Sequence, residues 1–270
     1  LANLVLTPYF RMATYIFESA TAIVGVTDGF VEWAVRYSGR SRSSSDQAFY
    51  LAYPKPNSES EKVEEAQAFW SDKGIKKQKF IISYIGAVSL NKVDIMPVFR
   101  AAELLKENAE VMFVIAGEGD DRDRLIDQAE SLGLSNVCFP GWVNKYQINY
   151  LLRNSKFGLV PLNNREDYIA AIPNKPIEYL ANSLPILSSL NGELSELLSK
   201  ESVGYSYNSG ESLVELVDKL DESTYNNLVV NSGRLFSERF CAEDVYSRFE
   251  ILLLDIAANH QVDSSNSTLS

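Results

Sequence analysis

Four short apolar runs punctuate the middle of the chain, at 80–86 (FIISYIG), 111–117 (VMFVIAG), 157–162 (FGLVPL) and 184–189 (LPILSS). Each has strand length and is nearly continuous rather than alternating, the pattern of strands covered on both faces. The segments between them change to a helical period: Ile95, Val98, Phe99, Ala102 and Leu105 form one apolar stripe, and Leu125, Ala129 and Leu132 form another. Parallel strands need long, usually helical crossovers, so this alternation predicts a doubly wound α/β domain with a parallel sheet. Upstream, 1–20 is apolar and helix-like, 21–27 (TAIVGVT) reads as a short strand, and Phe30, Trp33, Ala34 and Tyr37 give the next helix one apolar face. Breaks follow at 39–45 (GRSRSSS) and 54–60, then a charged helix over about 61–73. A short strand at 137–139 and amphipathic helices at about 212–220, 223–240 and 243–257 complete the pattern. The polar end, 261–270 (QVDSSNSTLS), is expected to be disordered. The division this predicts is a small helix-strand-helix segment over 1–50, a main domain over 51–259 that includes the C-terminal helices, and a tail over 260–270.

Composition narrows the chemistry. The 270 residues, 46% hydrophobic and 23% charged, are enough to bury a full core. A net charge of −11 argues against general nucleic-acid binding and against independent attachment to an anionic membrane. No apolar run reaches the roughly 20 residues of a membrane span, and the opening lacks the blocks of a signal peptide, so a soluble, cytoplasmic protein is expected. The opening on Leu1 reads as that of a fragment or processed chain. Cys138 and Cys241 stand apart with no metal-ligand spacing around them and are expected to be free, buried thiols. The only histidine, His260, leaves nothing for a Ser-His-Asp or Cys-His mechanism.

In an open parallel sheet, ligands bind beyond the carboxyl ends of the strands. The first run exits through Gly86 to Lys92, the second through Gly117-Glu118-Gly119, and the strand at 137–139 through Gly141, Trp142 and Val143. The run at 157–162 leads through a long loop into Pro173-Asn-Lys-Pro-Ile-Glu-Tyr-Leu-Ala181. Pro176 suits the first turn of a helix, with Asn174 or Lys175 at its cap. A helix N-terminus reinforced by Lys175, with Lys92 as a second cation, suits a diphosphate. Glu178, one turn further on, suits the hydroxyls of a ribose. Phosphates and ribose together mean a nucleotide. Taken singly, Lys92 and Lys175 also read as solvated lysines, Glu178 as a capping-box partner, and Trp142 as a half-buried loop anchor. Neither G-x-G-x-x-G nor G-x-x-x-x-G-K-[ST] is present.

The order of these motifs resembles the C-terminal domain of glycosyltransferase family 4, retaining enzymes of the GT-B fold. The likeness rests on Gly86 to Lys92, on Ala116-Gly-Glu-Gly-Asp120 with Leu125, Ala129, Leu132-Gly-Leu134, Val137, Phe139, Gly141 and Val143, on 173–181 with Leu184-Pro-Ile186, and on Gly192-Glu193. It spans about 80–220, and 22–27 is similar to the last strand-helix unit of the N-terminal domain of such enzymes. The resemblance implies a Rossmann-like domain with a short N-terminal-domain remnant, and a donor site of Gly86, Lys92, Trp142, Val143, Asn174, Lys175 and Glu178. It implies transfer of a sugar from a UDP- or GDP-sugar to a glycan or lipid-linked acceptor, as in bacterial O-antigen or capsule synthesis. Neither metal nor cofactor is implied, and the catalytic residues are not assigned. Acceptor binding is expected from a missing N-terminal domain, and the full-length protein from the cytoplasm, with peripheral association at the inner face of the membrane. Two departures stand out: Ala87 replaces the family's frequent Arg, and Ala170 replaces the first glutamate of its paired-glutamate motif, with Glu166 or Asp167 as substitutes. They leave open a non-catalytic nucleotide-binding or regulatory subunit; a nucleotide-sugar 2-epimerase and a Rossmann oxidoreductase fit less well.

Overall fold

The computed structural model describes residues 2–56, 60–75 and 80–267. The chain divides into two compact units, one formed by Leu1–Ala52 with Arg239–Ser270 and the other by Tyr53–Glu238.

The first unit opens with α1 (Ala2–Ser19), β1 (Val24–Gly25) and α2 (Asp28–Ser38). Thr27 caps α2 by accepting the Phe30 N–H, and Gly39 closes it in a left-handed conformation. β2 (Gln47–Ala48) pairs parallel to β1, a two-residue strand that no apolar run announces. The connection at 39–45 is more than a polar break. Arg40 forks onto Asp46 at 2.7 and 2.6 Å, and the same carboxylate accepts the backbone N–H groups of Ile23 at 2.7 Å and Ser43 at 2.6 Å.

The second unit begins with α3 (Ser60–Asp72); the break expected at 54–60 lies partly outside the described residues. Then come β3 (Phe80–Ile85), α4 (Met96–Leu104), β4 (Val111–Ala116), α5 (Arg122–Ser131), β5 (Val137–Gly141) and α6 (Lys145–Asn154). β6 (Phe157–Val160), α7 (Glu166–Ile169), α8 (Asn174–Ala181), β7 (Ile186–Ser188), α9 (Glu193–Glu201) and β8 (Gly204–Ser206) follow. α10 (Gly210–Asp218) and α11 (Glu222–Leu235) close the unit. The six long-domain strands are all parallel, in the order β5-β4-β3-β6-β7-β8. The chain therefore winds outward from β3 to one edge, returns, and winds outward from β6 to the other, which is the doubly wound arrangement with its switch point between β3 and β6.

Burial explains why the apolar runs were readable. β4 is buried along its whole length, and Ile82, Phe99, Phe113, Ile115, Leu125, Phe157, Leu159 and Leu187 join one core cluster. Two strands are shorter than their runs because proline cannot donate to a ladder: β6 stops before Pro161 and β7 starts after Pro185.

Three expectations are corrected. The helix expected over 223–240 leaves its α register at Phe236–Phe240, a five-residue π turn. The last helix, α12 (Ala242–Ser267), groups with the first unit and not with the main domain. It also continues through Ser267 where a disordered tail was expected from 260. Once a helix is nucleated each added residue gains a hydrogen bond, so polar composition alone does not end it. Residues 268–270 of that tail lie outside the described residues. Both cysteines are free, as expected, but Cys138 is only half-buried.

Candidate functional site

At the switch point the ladder between β3 and β6 is short, pairing Ile82 with Phe157 and Ser83 with Gly158. Beyond it a side chain takes over. The hydroxyl of Tyr179, fully buried on α8, accepts the Ile85 N–H at 3.2 Å and donates to the Leu159 carbonyl at 3.1 Å. Burial pushes its phenol well above the usual range, so it is a donor at any physiological pH. Its ring lies where a side chain on residue 158 would stand, which is why that position is glycine. Helix α8 is thereby seated on the two strands that part to form the crevice.

The exit loops are knit together by backbone N–H groups, two bonded to carbonyls and one to a carboxylate. Val88 N–H donates to the Glu118 carbonyl at 2.9 Å, Gly117 N–H to the Gly141 carbonyl at 2.9 Å, and Leu90 N–H to the Asp121 carboxylate at 2.8 Å. Gly117 has a φ of +138°, and a Cβ there would strike the Gly86 carbonyl. The Gly-Glu-Gly turn is thus a packing requirement of two touching loops. On the other side, Asn163 donates its N–H to the Lys92 carbonyl at 2.9 Å and its side-chain amide to the Leu90 carbonyl at 3.0 Å. The loop bearing Gly86 and Lys92 is held from both flanks, with the Lys92 side chain exposed.

Helix α8 carries the densest chemistry. Its N-cap is Pro173, not Asn174 or Lys175, because the extended backbone of proline ends at 163° in ψ and the helix already begins at the exposed Asn174. Pro176 sits in the first turn, as expected. No side chain caps this end. Glu178 is only 6% exposed, and its carboxylate does not reach back in a capping box. It accepts the Lys175 ammonium at 2.8 Å on Oε2 and the Tyr53 hydroxyl at 2.9 Å on Oε1. Burial, then the Glu178 charge, drives the Tyr53 phenol well above its usual range. Lys175 and Glu178 are therefore brought together directly. Among the described residues no hydrogen bond or ion pair joins Lys92, Asn174 or Trp142 to them.

Trp142 is not a half-buried anchor: it is 71% exposed, next to the buried Val143. Its backbone N–H donates to Glu118 Oε1 at 3.0 Å, and Glu118 Oε2 lies 3.8 Å from the Arg122 guanidinium. Sequence reasoning missed Tyr53 altogether, and placed Glu118 and Tyr179 only as members of the exit turn at 117–119 and the stretch at 173–181, without their bonding roles. Tyr53 lies 125 positions from Glu178, so no local pattern relates them. Ala170 closes α7, while Asp167 is exposed and pairs with Arg165 at 3.0 Å. A separate cleft of 490 Å³ opens between α9, β8 and α11; its lining residues include no lysine or arginine to meet a diphosphate. Among the described residues no cluster of three or more His, Cys, Asp or Glu could hold a metal ion, and no helix is long and apolar enough to cross a membrane.

A six-stranded, all-parallel, doubly wound sheet defines the class of Rossmann-like α/β domains. Residues 67–232 match the family described as Glycosyl transferases group 1, and the chain belongs to that family. The chain is 27% identical over 181 residues to an uncharacterized glycosyltransferase, MJ1607, of Methanocaldococcus jannaschii, covering 65% of this chain and 43% of that protein. It thus spans less than half of that curated relative. Among solved structures it is similar to Anabaena Alr3699/HepE in complex with UDP, with a TM-score of 0.73 and 13% identity over 92% of this chain and 68% of that one. It is also similar to WaaG, a glycosyltransferase involved in lipopolysaccharide biosynthesis, with a TM-score of 0.62 and 16% identity over 85% and 62% of the two chains. The fold is that of GT-B glycosyltransferases.

Proposed function

We propose that this chain is the donor-binding half of a family 4 glycosyltransferase that moves a sugar, with retention of configuration, from a UDP- or GDP-sugar to a hydroxyl of a glycan or lipid-linked acceptor. The observation that carries the reading is the Lys175–Glu178 pair at the uncapped start of α8, with Lys175 in its first turn and Glu178 one turn on. Lys175, the amide ends of α8 and, from the opposite loop, Lys92 would meet the donor diphosphate; Asn174 would add a hydrogen bond. Glu178 would accept from the ribose, and the Trp142–Val143 loop would flank the base beyond Gly86 and β3. The bond between the anomeric carbon and the diphosphate oxygen breaks, the acceptor oxygen takes its place and loses its proton, and the diphosphate leaves as an anion. Positive groups aimed at that developing charge lower the barrier without a metal. The UDP in the HepE complex and the lipopolysaccharide role of WaaG favour a nucleotide-sugar donor and a place in polysaccharide synthesis of the O-antigen or capsule kind. The acceptor and the remaining catalytic groups belong in this reading to an N-terminal domain, so the chain alone binds donor but transfers nothing; the whole enzyme works in the cytoplasm at the inner face of the membrane.

Calorimetric titration with UDP and GDP tests the donor site. One nucleotide is expected to bind, and Lys175→Ala and Glu178→Ala to weaken it about tenfold each, the worth of one hydrogen bond to a charged group. No binding of either nucleotide to the folded wild type would leave a degenerate site or one that needs its missing domain. A second reading, a non-catalytic nucleotide-binding or regulatory domain, is separated by donor-dependent sugar transfer in the full-length protein. That alternative is favoured by Ala170, which puts no carboxylate where the family's first glutamate stands.

A further inference from the structure

An ionised carboxylate as enclosed as Glu178 requires hydrogen-bond donors to hold it. Two side chains supply them, Lys175 on Oε2 and Tyr53 on Oε1. They differ in kind. Lys175 comes from the same helix three positions back, has a side chain 38% exposed, and is the group with an alternative partner if a diphosphate arrives. Tyr53 comes from the segment that opens the second unit, before α3, and is half-buried. Its phenol has two rotatable bonds before the hydroxyl plane is set, against four in a lysine stem, so its grip is the more rigid. It anchors the carboxylate to a part of the fold other than α8.

A carboxylate offers about four lone-pair sites. Tyr53 and Lys175 take one on each oxygen, leaving one free on each. Two free acceptors about as far apart as the oxygens of one carboxylate match a vicinal diol, which presents two donors side by side. We infer that Tyr53 is a positioning residue: by fixing Oε1 it orients the Glu178 carboxylate so that its two remaining lone pairs receive the 2′- and 3′-hydroxyls of a nucleotide ribose, and it thereby sets selectivity for ribo- over 2′-deoxyribonucleotides. This rests on the donor-site reading given above. The high-lying phenol fits the role, since the hydroxyl keeps its proton throughout the physiological range.

The test compares affinities of the 270-residue chain for UDP, 2′-deoxy-UDP and inorganic pyrophosphate. In wild type UDP is expected to bind more tightly than 2′-deoxy-UDP, and Glu178→Ala to abolish that preference. Tyr53→Phe is expected to cut the ribo-to-deoxy ratio by about fivefold to tenfold, from loss of one charge-assisted hydrogen bond, with pyrophosphate affinity unchanged. In a Glu178→Ala background, adding Tyr53→Phe should not move the ratio. If Tyr53→Phe weakens both nucleotides by the same factor, or moves neither, Tyr53 does not act through the ribose and the inference is wrong. If wild type shows no preference, or Glu178→Ala retains it, the assignment of Glu178 to ribose fails first and the role of Tyr53 with it. Thermal unfolding of each variant separates a lost fold from a lost contact.

Discussion

Asp46 shows how much one residue organises in the first unit. It is 2% exposed and gathers the Arg40 guanidinium together with the N–H groups of Ile23 and Ser43, so it ties the start of β1 to the turn before β2. The Arg40 bond, followed by the backbone donors, holds its carboxyl far below the usual range, against the opposing effect of burial. A depressed carboxyl contributes stability that is complete above its unfolded pKa, about 4, and that is lost as pH falls toward the folded value. Hydrogen exchange at Ile23 and Ser43 should therefore accelerate as pH drops below about 4, after correction for intrinsic rates. Asp46→Ala should remove about 2 to 3 kcal/mol from this unit at pH 7, the cost of leaving a partly solvated arginine without its buried partner. Asp46→Ala with unchanged protection at neutral pH would show that the backbone of 39–46 holds itself. Residues 39–45, Gly-Arg-Ser-Arg-Ser-Ser-Ser, read as a polar loop because the knot depends on which arginine reaches which aspartate, not on composition.

At the scale of elements, Tyr179 carries the argument. It stands in for a missing rung between β3 and β6 while belonging to α8, so the sheet's opening and the seat of Lys175 and Glu178 are fixed by one hydroxyl. Tyr179→Phe should leave a buried N–H and a buried carbonyl unpaired, costing about 2 kcal/mol in chemical denaturation. If the hydroxyl also places α8, nucleotide affinity should fall severalfold beyond what Tyr53→Phe produces; a variant that loses stability but binds as wild type would confine Tyr179 to the fold. Such bridges are invisible in sequence, since Tyr179 appears there only as one residue of the 173–181 stretch. What sequence does reveal follows from burial. β3 and β4 were legible because both faces are covered and every position is apolar or small. β8 and β2, three and two residues long, present no run at all. α6 carries a readable signal that the apolar pattern hides: Asn144 and Gln147 form a reciprocal capping box. In the candidate site, Lys175 was legible in the first turn of a helix and Glu178 one turn further on, whereas the role of Glu118 was hidden in a glycine turn, from which it bonds Trp142 across 24 positions.

At the scale of the whole molecule, the two units differ in how they are held. The second has a six-stranded sheet with helices packed against it; the first rests on two-residue strands and a small cluster of Ile23, Val31, Ala34 and Val35. The net charge of −11 opposes an anionic ligand at long range, but screening at physiological salt acts beyond about 8 Å, so in the proposed donor site the nearby lysines would outweigh it. Every side chain assigned to the donor site lies within Tyr53–Glu238. A ligand that binds only the folded state adds stability of about 2.7 kcal/mol at a hundred times its dissociation constant, and only to structure whose opening releases it. Saturating UDP, or GDP if that is the nucleotide bound, should therefore slow amide exchange in β3, β4 and α8 and leave α1 and α2 as they are without it. Equal slowing in both units would mean that they open as one cooperative body, and slowing confined to α1 and α2 would put the nucleotide site in the wrong half of the chain. The measurement decides this without any sugar transfer, because it reads where binding energy is felt and does not depend on the acceptor.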